Sequence, residues 1–388
     1  MTQGTLETAD RLAGIHGLRA IAALTVVLFH VHGIHKLDVP QAFSMIKSHF
    51  GLGVQLFFVL SAFSLFFSTQ HRVGKPQWIQ DYFIRRFFRI APLFYMMIVV
   101  WYGLAWLDFN QRLPVHDVLL NFLFLFNLVP EKHDSVVWAG WTIGVEMLFY
   151  AILPVLLVYI ITIRRALVLL VVGATITTAA RMAYDSSGQL SIQAYGHHSF
   201  LSQVGIFCAG VLSYFLYWRR DAYAWLKDYP IFYDGLSLVG LLLIVLLLVL
   251  PTGSLILFGR FDILVWAFAF ALLTSGQAVH PWRMIANRYL YFAGERSFSL
   301  YLLHPLIIYK LGPVYLKIYS LFGQHIGVAF IGCVFVTLIV LIPAAAACYR
   351  FIELPGMAVG RWLIQRNRNS SGQSLSLKGS ILEKAGVV

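Results

Sequence analysis

Apolar runs close to twenty residues long recur from one end of the chain to the other, separated by short polar connections. Wound into a helix at about 1.5 Å per residue, a run of that length crosses about 30 Å of hydrocarbon. Hydropathy places such spans at 16–35, 51–70, 91–108, 141–162, 165–182, 201–218, 231–250, 256–275, 290–311 and 326–348, ten in all. A further apolar piece, VLLNFLFLFNLV at 118–129, is short and carries Asn121 and Asn127. It is expected to be re-entrant or interfacial; a full crossing would make eleven spans and break the parity. The expected fold is therefore an all-α polytopic membrane bundle. Residues 1–362 form its membrane domain, and the polar, Ser-rich 363–388 reads as a flexible cytoplasmic tail.

Composition agrees, with 59% hydrophobic residues, 12% charged and a mean hydropathy of +0.76. A soluble chain carries about a quarter charged residues. Charge also sets the expected orientation. With the N-terminus inside, nineteen of the twenty-nine Lys and Arg fall in cytoplasmic segments and seven outside, while Arg19, Arg260 and Arg296 lie within spans. Both termini are thus expected in the cytoplasm, and the net charge of +12 is topology plus attraction to anionic membrane lipids, not a nucleic-acid footprint. The first apolar run lacks a small-residue cleavage pattern and should act as an uncleaved anchor. No internal repeat is visible, which disfavours transporters built from duplicated halves. Cys208, Cys333 and Cys348 stand singly in apolar runs and read as packing residues, so neither a disulfide framework nor a metal is expected.

Ionisable residues inside spans are functional hypotheses by default. Arg19 and His30 lie eleven residues apart, which at roughly 100° per residue puts both on one helix face about 16 Å apart along the axis. His30, with an ordinary titration point near about 6.5, can act as a general base, or it can simply bond between helices. Arg19 can bind a phosphate or carboxylate, or snorkel to the interface. Arg85, Arg86 and Arg89 sit among aromatics in DYFIRRFFRIAPLFY, where Arg86 and Arg89 are helix neighbours able to converge on one phosphate and Pro92 can kink the helix. Glu146, near Trp141 in WAGWTIGVEMLFY, must find a partner, either His30 or a structural arginine. Ser297, Tyr301 and His304 share one stripe that suits a hydroxyl-rich substrate, or interhelical hydrogen bonds. Glu353 and Pro355 follow the last span, the acid as a possible exposed cap and the proline as a helix stop.

The segments GLRAIAALTVVLFH, FFVLSAFSLF around Ser61, FIRRFFRIAPLFY, WTIGVEMLFY, SFSLYLLHP and FIELP occur in order over residues 14–356. In these the chain resembles the acyltransferase-3 family of integral-membrane O-acyltransferases. The resemblance implies transfer of an acetyl or other short acyl group from a coenzyme A thioester to a hydroxyl of a cell-envelope or secreted glycan, in a bacterial inner membrane. It implies acetyl-CoA as co-substrate, with no metal. His30, Arg19 and Glu146 would be catalytic, Arg85, Arg86 and Arg89 would hold the donor phosphates, and Ser61, Trp141, Ser297, Tyr301, His304 and Glu353 would contact substrate. Ala62 stands where the family commonly has Gly, and Thr142 where it commonly has Ser, which puts a close backbone approach at 62 in question. The family's appended hydrolase-like domain is not expected after residue 362. A transporter or flippase of a glycolipid or small anion is the alternative, since intramembrane charges also line permeation paths; a silent scaffold is a third. The acceptor and the oligomeric state stay open.

Overall fold

The computed structural model describes residues 12–222, 230–249 and 262–384, with backbone alone at 219–222 and 370–384. The main helices in chain order are α1 (Ala13–His35), α2 (Gly53–Thr69), α3 (Trp78–Leu107), α4 (Val115–Phe122), α5 (Trp141–Tyr159), α6 (Ile163–Asp185), α7 (Leu190–His198), α8 (Phe200–Ala222), α9 (Pro230–Val249), α10 (Asp262–Val279), α11 (Arg288–Glu295), α12 (Ser297–Lys310), α13 (Gly312–Phe322), α14 (Ile326–Cys348) and α15 (Leu354–Lys384). No strand occurs among the described residues. Nine helical stretches there are long and apolar enough to cross a bilayer. The protein is an all-α integral membrane protein.

The ninth expected span, 290–311, is two pieces. Its helix breaks at Arg296 (φ −99°, ψ 9°), whose guanidinium lies 3.6 Å from the centre of the Phe292 ring and 4.9 Å from that of Tyr349 while Nη1 donates to the Phe292 carbonyl. The charge is thereby housed on aromatic faces inside an apolar run. The 118–129 piece forms the eight-residue α4 and a following 3-10 turn, too short to cross at about 1.5 Å per residue, with Asn121 and Asn127 buried. Arg260, one of the three basic residues expected within spans, lies outside the described residues.

One expectation near the C-terminus changes. Pro355 does not stop the chain's helical course: α14 passes through a π-helical turn at Tyr349–Glu353 into α15, which carries Pro355 as its second residue. Helix α15 then runs to Lys384.

Contacts between distant segments agree with the parity of the charge-based topology. Lys310 Nζ is 2.5 Å from Asp108, which holds that carboxyl below its ordinary value. Arg181 meets Asp262 at 3.6 Å, and Arg368 meets Asp81 at 2.5 Å. Each pair joins two ends assigned to the same side. The stretch Leu190–Trp218 is enclosed over 83% of its apolar window, whereas α6 (17%) and α9 (22%) turn Leu and Val outward, as lipid allows. Close helix approach depends on small residues: a Cβ at Gly210 of α8 would stand 2.4 Å from the Val59 carbonyl oxygen and 2.8 Å from Ala62 Cβ. The tight contact at Ala62 is therefore supplied by the glycine opposite.

Candidate active site

A cavity of about 370 Å³ opens between α1, α2, α3, α5 and α12, within the range of small-molecule sites. Helix α1 contributes His16 and Arg19, α2 Ser61 and Ser64, α3 Arg86 and Arg89, α5 Thr142, Glu146 and Tyr150, and α12 Ser297 and Tyr301. Helical spacing explains each pair: residues three or four apart share a face. Gly294 lets α11 close on α1 here, since a Cβ would fall 1.9 Å from the His16 carbonyl oxygen.

Glu146 is the hub of the wall. Its Oε1 accepts from Ser61 Oγ at 2.5 Å and from Tyr150 Oη at 2.5 Å. These hydroxyls, rather than His30 or an arginine, are its hydrogen-bond partners. Arg86 donates to Ser68 Oγ at 3.0 Å and lies about 6 Å from the rings of Tyr82 and Tyr150, with Nε buried and unbonded. Arg89 Nη1 lies 3.1 Å from Glu353 Oε2, and Glu353 also accepts from Ser299. Glu353 is 1% exposed, so it is a buried counter-ion behind the arginine instead of an exposed cap. Among the described residues neither Arg19 nor Arg86 makes a salt bridge. The cavity thus keeps cationic groups available to an anion. Arg85 points elsewhere, to Asp81 at 3.3 Å, and does not line the cavity.

The stripe on α12 carries the wall upward. Tyr301 donates to the Ala139 carbonyl and receives Thr142 Oγ1 at 3.0 Å, and its ring centre is 5.5 Å from that of His304. His304, fully buried, places Nε2 3.2 Å from His30 Nδ1. His30 Nδ1 also lies 2.9 Å from the Val26 carbonyl oxygen. That oxygen can only accept, so a neutral His30 carries its proton on Nδ1 and leaves the Nε2 lone pair free. His30 itself does not line the cavity; Tyr301 and His304 intervene. Trp141 stacks on His198, ring centres 4.3 Å apart, instead of facing the cavity.

Residues 12–345 match the acyltransferase-3 family, described as an acyltransferase domain. The chain belongs to the acyltransferase-3 family. It is 26% identical over 377 residues to a Staphylococcus aureus (strain COL) protein provisionally named an O-acetyltransferase, covering 89% of this chain and 57% of that one. A Bacillus subtilis (strain 168) protein provisionally named a peptidoglycan O-acetyltransferase is 25% identical over 369 residues, covering 89% and 54% respectively. The peptidoglycan O-acetyltransferase OatA of Listeria monocytogenes is 27% identical over 200 residues, covering 47% of this chain and 30% of OatA. The chain thus spans little more than half the length of the longer-matching relatives. No solved structure matches it.

Within this acyltransferase-3 domain the structure adds lining residues that sequence reasoning passed over: His16, Ser64, Tyr150, Glu295 and Tyr349. His16 carried a signal, standing three residues before Arg19 and hence on its face. Tyr150 likewise follows Glu146 by one turn. Glu295 and Tyr349 reach the cavity only through tertiary packing.

Proposed function

We propose that this domain is a membrane-embedded O-acyltransferase that moves an acetyl or other short acyl group from a coenzyme A thioester to a hydroxyl of an envelope or secreted glycan, in the bacterial cytoplasmic membrane. The observation that carries the reading is the convergence of Arg19, Arg86 and Arg89 on one cavity whose wall continues through Tyr301 to the His304–His30 pair. The arginines suit the phosphates of the donor, and the free Nε2 of His30 suits a hydroxyl proton. In the reaction, His30 Nε2 takes the proton as the hydroxyl oxygen bonds to the thioester carbonyl carbon. The C–S bond then breaks, and the imidazolium returns the proton to the departing thiolate. Peptidoglycan is the acceptor favoured by the names of two relatives.

One observation favours a different base: His16 lines the cavity and His30 does not. Purified protein in detergent, given acetyl-CoA labelled in the acetyl group and peptidoglycan fragments, tests the whole reading. Transfer of label to the glycan is expected, lost in His30→Ala and kept in His16→Ala; the reverse pattern moves the base to His16. Absence of both donor binding and transfer removes the enzyme reading and leaves the transporter, whereas donor binding without turnover leaves the scaffold.

A further inference from the structure

Away from the cavity, the loop before α5 and the end of α7 bring His133, Asp134 and His198 together, with one ligand atom from each lying within 4.8 Å of the others. Asp134 Oδ1 is 2.9 Å from His198 Nδ1 and 3.4 Å from His133 Nε2. The 3.4 Å edge matches the roughly 3.4 Å edge of a tetrahedron with metal–ligand bonds near 2.1 Å, and the 2.9 Å His198–Asp134 edge, a hydrogen bond in this structure, lengthens when both groups turn to a metal. His133 supplies the second observation. The residue is 4% exposed, yet neither ring nitrogen makes a hydrogen bond. An imidazole enclosed without partners is costly unless Nε2 has a use, and coordination gives it one.

The scaffold around the three side chains is built. Asn127 donates to the His198 carbonyl at 2.9 Å and accepts from the Phe200 N–H at 3.1 Å, while Tyr195 donates to the Asn127 carbonyl at 3.0 Å. The Trp141 ring stacks on His198, which fixes the imidazole plane. We propose that His133, Asp134 and His198 form a binding site for a divalent transition metal of the zinc class, tying the loop before α5 to α7. Two imidazoles and one carboxylate suit zinc, copper, nickel or iron better than magnesium or calcium, and three ligands leave a tetrahedral position open to water or a substrate oxygen. The sequence showed no metal spacing because sixty-four residues separate Asp134 from His198.

The test uses the full chain with any affinity tag removed, stripped with chelator and titrated with zinc, then with cobalt as a spectroscopic probe. One equivalent is expected, with the visible absorption of tetrahedral cobalt and a rise in unfolding temperature on adding zinc. His133→Ala, His198→Ala and Asp134→Asn should each weaken binding by more than the roughly 10–100-fold that follows loss of an outer partner, and should abolish the temperature rise. His325→Ala, an exposed site elsewhere, should bind as the parent does. Should a histidine variant fail to fold, the isosteric Asp134→Asn protein, checked for monodispersity, carries the comparison. Parent protein that binds no metal, or monodisperse Asp134→Asn that binds it as tightly as the parent, overturns the site.

Discussion

His30 Nδ1 lies 3.2 Å from His304 Nε2, two imidazoles meeting across α1 and α12 inside the membrane domain. Because the Val26 carbonyl can only accept, a neutral His30 carries its proton on Nδ1 and its basic nitrogen is Nε2, away from the contact. His304 packs against the ring that the proposed mechanism uses as its base.

That geometry sets the first expectation. His30→Ala should lower acyl transfer by roughly 10²–10⁴-fold, the usual worth of a positioned base, while donor affinity stays near the parent value. His304→Gln should lower kcat less and leave KM for the donor almost unchanged, since it removes only a contact to the ring. Steady-state kinetics on both variants decide it; a His304→Gln loss equal to that of His30→Ala would put the proton transfer on the pair.

Much of this site was legible from helical periodicity. Of the Ser297, Tyr301 and His304 stripe, Ser297 and Tyr301 line the cavity, while Tyr301 and His304 also bond to neighbouring segments. Arg86 and Arg89 reach one cavity, as their three-residue spacing suggested, and Arg19 joins them there, whereas His30, expected on Arg19's face, does not line it. Partner choice was not legible, because it depends on which helices pack together: Glu146 finds Ser61 on α2, and Glu353 finds Arg89 on α3. The break at Arg296 was hidden for a related reason, since the run from 290 to 311 is apolar enough to read as one helix and the Tyr349 ring that meets Arg296 comes from a distant segment.

Orientation follows from charge and is open to direct labelling. In intact cells, a cysteine at the exposed Lys75 should resist a membrane-impermeant thiol reagent, and one at Gly188, where a side chain meets open space, should react. The native cysteines lie within helices, so a cysteine-free background keeps the readout clean. Labelling at both positions or at neither means that one of the spans between them has been miscounted.

Glu146 holds two hydroxyl donors on one oxygen. Glu146→Gln keeps the volume but replaces a charged acceptor by a neutral one, and a hydrogen bond to a charged group is typically worth about 1.5–3 kcal/mol. Thermal unfolding should fall accordingly. Ser61→Ala should cost less, since Glu146 keeps Tyr150 and the methyl group fits the space. Equal losses from the two would mean that the Ser61 bond, and not the charge, organises the wall.

Arg86 and Arg89 line the same cavity, yet their surroundings predict different failures. Arg86 has no carboxylate partner among the described residues, so Arg86→Ala should weaken coenzyme A binding by about 1.5–3 kcal/mol for each hydrogen bond lost, with little change in stability. Arg89 faces the wholly enclosed Glu353 carboxylate at 3.1 Å, so Arg89→Ala strands a buried charge and should destabilise the protein by about 3–5 kcal/mol as well as weaken the donor. Adding Glu353→Gln to Arg89→Ala should restore much of the stability, because a neutral amide is far less costly to bury, while donor affinity stays low. Lysine at 86 should recover only part of the affinity, lacking the planar fork that engages a phosphate through two hydrogen bonds. Calorimetric titration with coenzyme A and unfolding curves on the same four variants separate these effects. If donor affinity returns along with stability in the Arg89→Ala, Glu353→Gln double variant, Arg89 serves the fold alone and the phosphate site rests on Arg19 and Arg86.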